Sequence, residues 1–290
     1  MFNSLRWIWL ALAALVLASC SKPAEVRPAL WLVEGPNGQK AWLFGTIHAL
    51  PQPVNWHSAK VDAALTQSDR LLLEVANIED DSQTAQAFAA LASSPGLPPL
   101  AQRVPPDLRD ELDAAFKKDG FKPGDLDRYE SWAAALMLQN AAMAAGKSDS
   151  GNGIDRALVR GYSGPVEEFE GAAAQLAIFD QLPEPAQRAL LASALTEAPD
   201  EQAQMRMLEQ AWARGDLAAV DAETNAEFLN DPMLRDALLV RRNQAWAMRL
   251  GGDLAQGKHP FVAVGLAHLV GKEGLPALLT QRGYRVTRLQ

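Results

Sequence analysis

Two of the chain's four histidines stand in the same local pattern. Phe44-Gly45-Thr46-Ile47-His48 and Val264-Gly265-Leu266-Ala267-His268 each run from an apolar stretch through a glycine to a histidine three residues on. Histidine is the usual proton carrier near neutral pH and the commonest metal ligand. A glycine at a strand end lets the backbone turn sharply or lets another group come close. Gly45 and Gly265 are therefore expected to present His48 and His268 at the carboxyl edge of a sheet, where ligands bind in open α/β folds. Glu74 ends the apolar run Leu71-Leu72-Leu73. A carboxylate leaving a buried strand needs a partner, a proton or a metal. Glu170 ends a weaker run of the same kind, beside Glu167 and Glu168. Asp155 begins a helix, where the dipole favours an acid. The pair Arg241-Arg242 lies on a helix that continues through Trp246, and one of them is suited to hold a carboxylate or an oxyanion through two hydrogen bonds. His57 and His259 lack the glycine pattern.

Two chemistries suit these groups. In the first, His48, Glu74 and His268 bind a divalent metal and leave positions open for water and substrate. In the second there is no metal, and His48 acts as general base. The chain contains no His-Glu-x-x-His, so a zincin of the common kind is excluded. Its one cysteine is Cys20. If Cys20 is lipidated, no thiolate is left for a metal or a nucleophile, and no internal disulfide can form.

The elements that must position these residues follow from apolar runs and turn signals. Leu30–Val33 and Ala41–Phe44 read as strands across the turn Gly35-Pro36-Asn37-Gly38. Leu71–Val75, Gly164–Glu170, Phe261–Val264 and Tyr284–Thr287 supply further strand candidates. Ser58–Gln67 reads as a helix capped by Ser58, Glu130–Ala145 as a strong helix, and Gly271–Gln281 as another. The Ala-rich middle, about residues 82–255, is mostly helical, with Lys147–Gly153 a polar loop. The expected fold is α/β: a mixed sheet formed from N- and C-terminal strands, with a large helical middle segment packed on it.

The first nineteen residues have the parts of an export signal. Arg6 is the only charge ahead of an apolar stretch from Trp7 to Val16, and small residues follow. That stretch is shorter than the roughly 20 residues a membrane-spanning helix needs. Leu17-Ala18-Ser19-Cys20 resembles the lipobox of bacterial lipoproteins, in which the cysteine is acylated and becomes the mature N-terminus. Residues 1–19 are thus expected to be a lipoprotein signal peptide, 20–29 a tether and 30–290 one domain. Ser21 rather than Asp after Cys20 resembles the outer-membrane sorting pattern, which places the domain in the cell envelope facing the periplasm. The chain carries 27 Lys+Arg against 35 Asp+Glu, and losing Arg6 takes the net charge from −8 to −9. That balance argues against a nucleic-acid partner, which needs a basic face.

Taken in order, several motifs resemble the TraB/PrgY/GumN family, which includes the animal Tiki proteases. They are Trp42-Leu43-Phe44-Gly45-Thr46-Ile47-His48, Leu72-Leu73-Glu74, Gly153-Ile154-Asp155-Arg156, Phe169-Glu170, Arg242-Asn243 and Val262–Gly271. The likeness runs from about Leu30 to Leu289. Phe169-Glu170-Gly171 stands where the family more often has Leu-Glu-Thr, and Ala267 where it often has glycine. The resemblance implies a fold related to erythromycin esterases and haem-binding ChaN-like proteins. It implies Arg242 as the functional arginine. From the Tiki branch it implies metal-dependent peptide cleavage, with Mn or Co. The expected function is a lipid-anchored hydrolase acting on a peptide or small molecule through His48, Glu74, Arg242 and His268, with Mn, Co or Zn as candidate metals. The competing readings are a lipoprotein that captures a peptide or haem without turnover, and a structural envelope protein.

Overall fold

A computed structural model describes residues 26–145, 149–196, 201–226 and 230–290. The leader, Cys20 and most of the expected tether lie outside the described residues. Leu30–Glu34 (β1) and Lys40–Thr46 (β2) form a hairpin. Its turn places Gly38 at φ 81°, a left-handed conformation that suits glycine. Arg70–Leu73 (β3), Val166–Glu168 (β4), Pro260–Gly265 (β5) and Arg285–Arg288 (β6) complete one six-stranded sheet in the order β4-β3-β5-β2-β1-β6. The four strands β4, β3, β5 and β2 run parallel, and β1 and β6 add antiparallel pairing at one edge. The expected mixed α/β sheet built from both ends of the chain is therefore present. β5 sits at the centre of the parallel part, and Phe261, Val262, Ala263 and Val264 are fully buried. Burial on both faces explains why that strand reads as a continuous apolar run rather than an alternating one.

The helices are Ala59–Gln67 (α1), Asp81–Leu91 (α2), Arg109–Asp119 (α3), Ser131–Ala145 (α4), Ile154–Gly161 (α5) and Ala172–Asp180 (α6). They continue as Glu184–Leu195 (α7), Glu201–Arg214 (α8), Leu217–Ala226 (α9), Arg241–Ala255 (α10) and Leu275–Gln281 (α11). Ser58 caps α1 as expected, its hydroxyl accepting from the Val61 N–H at 3.2 Å. The helix expected from Gly271 starts only at Leu275. Gly271 takes a left-handed φ of 69°, and Pro276 is preorganised for a first helical turn rather than an interior one.

The helical middle divides between two apolar cores. One surrounds the sheet and takes Leu158 of α5, Trp212 of α8, Val220 of α9 and Trp246 of α10. The other is helical and joins Leu100, Phe116, Trp132, Leu190, Leu191 and Leu238. The segment from 82 to 255 is thus not one added layer, because α5, β4, α8 and α9 return to the sheet. Trp212 ties α8 to the site: its indole N–H donates to the Gly45 carbonyl at 2.9 Å, and the side chain is almost fully buried. Truncation to alanine removes that bond and leaves a large cavity, at a cost of about 3–5 kcal/mol. Urea unfolding of Trp212→Ala is expected to show a loss of that size, and a loss below about 1 kcal/mol would show that α8 does not brace the β2 end.

Candidate active site

The four parallel strands all release their chains at one edge, and each release carries a candidate group. β2 ends at Thr46 and leads to His48. β3 ends at Leu73, next to Glu74. β4 ends at Glu168 and leads to Glu170. β5 ends at Gly265 and leads through a short helical turn, Leu266–Leu269, to His268. Register aligns Thr46 with Gly265 across β2 and β5, and Leu73 with both Glu168 and Ala263. Side chains that follow those positions therefore meet.

Asp155 comes to His48 through α5. The Ile154 N–H donates to the Ile47 carbonyl at 3.0 Å, and Gly153 packs so closely on the His48 carbonyl that a Cβ would collide with it. This docking brings the Asp155 carboxylate to two partners. Oδ1 accepts from the Thr46 hydroxyl at 2.7 Å, and Oδ2 accepts from His48 Nδ1 at 2.8 Å. In the neutral ring the Nδ1 proton faces Asp155 and His48 Nε2 has a lone pair. The negative charge of Asp155, with a smaller contribution from Glu74, raises the His48 pKa from 6.5 to about 9. The His48 side chain is 65% exposed, so water screens part of that attraction.

Arg242 lies at the centre of the other groups. Its Nε donates to both oxygens of Glu170 at 3.0 and 3.1 Å, and its NH2 donates to Glu74 Oε2 at 2.7 Å. Its NH1 donates to the Leu238 carbonyl at 3.1 Å and faces His268 Nε2 at 3.3 Å. The segment before it, Asp236–Val240, is a π-helical turn, a form that recurs at functional sites. Trp246 supports the group from below. Its ring lies 4.7 Å from the guanidinium carbon and 4.5 Å from the His268 ring, and its N–H donates to Glu170 at 3.1 Å.

Glu74 is buried and fully engaged. Oε1 accepts from the Gly265 N–H at 2.9 Å, while Oε2 accepts from Gln175 at 3.2 Å as well as from Arg242. Burial opposes its ionisation, but His268, His48 and Arg242 and the Gly265 N–H hold its pKa down to about 2. Desolvation pushes buried His268 the other way, from 6.5 down to about 4, so it is neutral at pH 7. Asn243 fixes its tautomer. The Asn243 amide donates to the Glu273 carbonyl at 2.8 Å, which turns Oδ1 toward His268 Nδ1 at 2.6 Å. His268 Nδ1 is thus the donor, and Nε2 is the acceptor that meets Arg242.

All four principal candidates, His48, Glu74, Arg242 and His268, come together, and Asp155 and Glu170 join them. The two glycines act by leaving space. A Cβ on Gly45 would run into the Leu266 side chain. A Cβ on Gly265 would lie 3.3 Å from His48 Nε2 and 3.4 Å from Glu74 Oε1. Gly265 has a φ of −50°, so space and not backbone conformation is what it contributes. Thr46, Gln175, Asn243 and Trp246 were missed as site residues. Asn243 lay beside Arg242 in one motif, Thr46 inside another and Trp246 on the Arg242 helix, while Gln175 had no such signal. His57 stacks on Trp56 at 4.0 Å and pairs with Asp62, and His259 meets the Lys40 backbone.

The expected metal ligands were His48, Glu74 and His268. His268 Nε2 and Glu74 Oε1 are 3.9 Å apart, but the His268 lone pair already faces Arg242 NH1 and its other nitrogen donates to Asn243. A fixed cation thus stands where the third ligand would turn. Among the described residues no three His, Cys, Asp or Glu side chains form a group able to hold a metal. As placed, His268 Nε2 is turned to Arg242 and not to a position shared with His48 and Glu74.

Fold and site together define an α/β protein whose parallel strand ends gather a carboxylate–histidine pair and a carboxylate–arginine–histidine cluster. A family model matches residues 29–288, nearly the whole chain, and the protein belongs to the TraB/PrgY/gumN family. No curated protein and no solved structure matches it.

Removing the central cation leaves Glu74 and Glu170 facing each other in a buried site. Arg242→Met is expected to lower stability by about 3–5 kcal/mol in urea unfolding at pH 7. Arg242→Lys should recover only part of that, because one ammonium cannot serve the four acceptors that the fork reaches. A loss under about 1 kcal/mol for Arg242→Met would show that the cluster does not depend on it.

Proposed function

We propose that this protein is a hydrolase that directs water at a carbonyl carbon, with peptides as its substrates. The observation that carries this reading is the space above Gly265. His48 Nε2 and Glu74 Oε1 both border it: a Cβ on Gly265 would lie 3.3 Å from the one and 3.4 Å from the other. A water lying above the bare Cα can thus be shared by a base and an orienting acceptor.

The step balances with groups of the chain alone. His48 Nε2 takes a proton from the water as the water oxygen bonds to the carbonyl carbon, and the C=O π pair moves onto its oxygen. Glu74 Oε1 accepts the other hydrogen and orients the lone pair. Arg242, whose N–H groups reach Glu74, Glu170, the Leu238 carbonyl and His268, holds Glu74 in place for that role. The C–N bond then breaks, and His48 returns its proton to the leaving nitrogen. Asp155 holds the tautomer and steadies the imidazolium, the role a carboxylate plays in catalytic triads. Neutral His268 and Asn243 keep Arg242 and the site wall in place. No step is routed through a metal.

The Leu17-Ala18-Ser19-Cys20 sequence supports a lipid-anchored place for this activity in the cell envelope, at the outer membrane facing the periplasm. Incorporation of labelled palmitate into wild type and not into Cys20→Ala tests that anchor.

In a digest of a mixed peptide library, His48→Ala is expected to lose at least about 100-fold in turnover. Gly265→Ala should lose a similar factor with an unchanged melting temperature, since its φ suits alanine and its methyl crowds the space between His48 and Glu74 that the water needs. Full turnover in Gly265→Ala would contradict the water site. A wild type that captures peptide without product, as well as His48→Ala does, would establish capture in place of catalysis. The same digest with chelator, and with Mn, Co or Zn added, reads the metal expectation directly.

A further inference from the structure

A cavity of about 410 Å³ adjoins the site on the side of Arg242 and Glu170, both of which line it. That volume falls in the range of pockets that take a small molecule or a comparable part of a larger one. Its lining is mixed, with Ile178, Leu182, Met233, Ala237 and Ala245 forming most of the apolar part. Hydrogen-bonding groups stand beside them: Gln181, and the ion pair of Arg241 with Asp236 at 2.9 Å, whose side chains are both more than half exposed.

Two helices connect this cavity to the reacting groups. On α6, Gln175 donates to Glu74 and Ile178 lines the cavity. Residues three apart share a helix face and are separated by about 4.5 Å along the axis. On α10, Arg242 both binds Glu74 and lines the cavity, and Ala245 follows it by one turn. The cavity therefore begins about one helical turn from Glu74. An extended peptide advances about 3.3–3.6 Å per residue, so the first or second residue beyond the bond held at Gly265 reaches it.

We propose that this cavity is a specificity subsite that receives a large apolar side chain of a peptide substrate, one or two residues from the scissile bond. Gln181 and the Asp236–Arg241 pair offer hydrogen bonds to the peptide backbone at its mouth. This inference rests on the hydrolase reading for the word substrate, but the cavity's ability to bind an apolar group is measured separately.

The test uses Ala237→Phe, which fills the cavity, and Met233→Lys. Met233 is 45% exposed, so a lysine there charges the mouth without burying itself. Cleavage sites in the mixed peptide library are mapped by mass spectrometry, and binding of the apolar dye N-phenyl-1-naphthylamine is followed by fluorescence. The expected wild-type result is enrichment of Leu, Ile, Met or Phe at one position near the cut, together with dye binding. Both variants should lose that enrichment and weaken dye binding about tenfold, while peptides with alanine at that position are cut as before. Cleavage without apolar preference, or with a preference unchanged in both variants, overturns the subsite and leaves the hydrolase reading standing. If wild type cleaves nothing, the hydrolase reading fails. Dye binding then decides the cavity alone: weakening in Met233→Lys supports an apolar ligand site, and unchanged binding overturns it.

Discussion

The site depends on one buried guanidinium. Arg242 holds two carboxylates, Glu74 and Glu170, that would otherwise repel each other in a place with little water. Two largely buried carboxylates and one cation leave a net negative charge, and the arrangement holds because each carboxylate oxygen has a donor. Glu74 takes the Gly265 N–H and Gln175 as well as Arg242, and Glu170 takes the Trp246 indole. The same guanidinium faces His268 Nε2, so that ring stays neutral and its protonation is opposed by a neighbouring positive charge as well as by burial. What looked in sequence like two equivalent histidines becomes two different groups. His268 is an enclosed acceptor within a network, while His48 has a free nitrogen at the open edge.

That division follows from the sheet. Parallel strands deliver their carboxyl ends to one side, and here four adjacent strands do so with a functional residue just beyond each end. β2 supplies His48 and β5 supplies His268 from the same Gly-x-x-His pattern, but the chain after them differs. After β5, a short helical turn folds His268 inward against Trp246. After β2, the chain is crossed by α5, which leaves the His48 ring outside and puts Asp155 behind it.

Much of this was legible in the sequence, for physical reasons that can be named. The buried strands β3 and β5 are short apolar runs bounded by polar residues or turns, and a charged residue directly after such a run stands out. Glu74 was visible for that reason, as were the glycines that precede His48 and His268. Asp155 was visible only as a first-turn acid, because nothing in local sequence says which loop a helix start will dock against. Thr46 was visible only as a spacer between Gly45 and His48, and Gln175 carried no signal. Their roles arise from contacts across 109 and 101 residues of chain. The division of the helical middle between two cores was equally hidden, since nothing local to the Trp212 or the Trp132 helix says which cluster its tryptophan joins. The metal expectation came from ligand types and from the family resemblance. It could not foresee that Arg242 would face the lone pair of His268.

The central claim is that His48, held by Asp155, is the base of the site, and the pH dependence of turnover tests it most directly. A base must be unprotonated, so kcat/KM should rise with pH. Asp155 raises the affinity of His48 for its proton, so the midpoint should lie above the ordinary 6.5 and at most near 9. Asp155→Asn removes the charge, which should move the midpoint back toward 6.5 even as the rate falls. Activity that declines across this interval, or a midpoint that is the same in wild type and Asp155→Asn, would contradict the assignment.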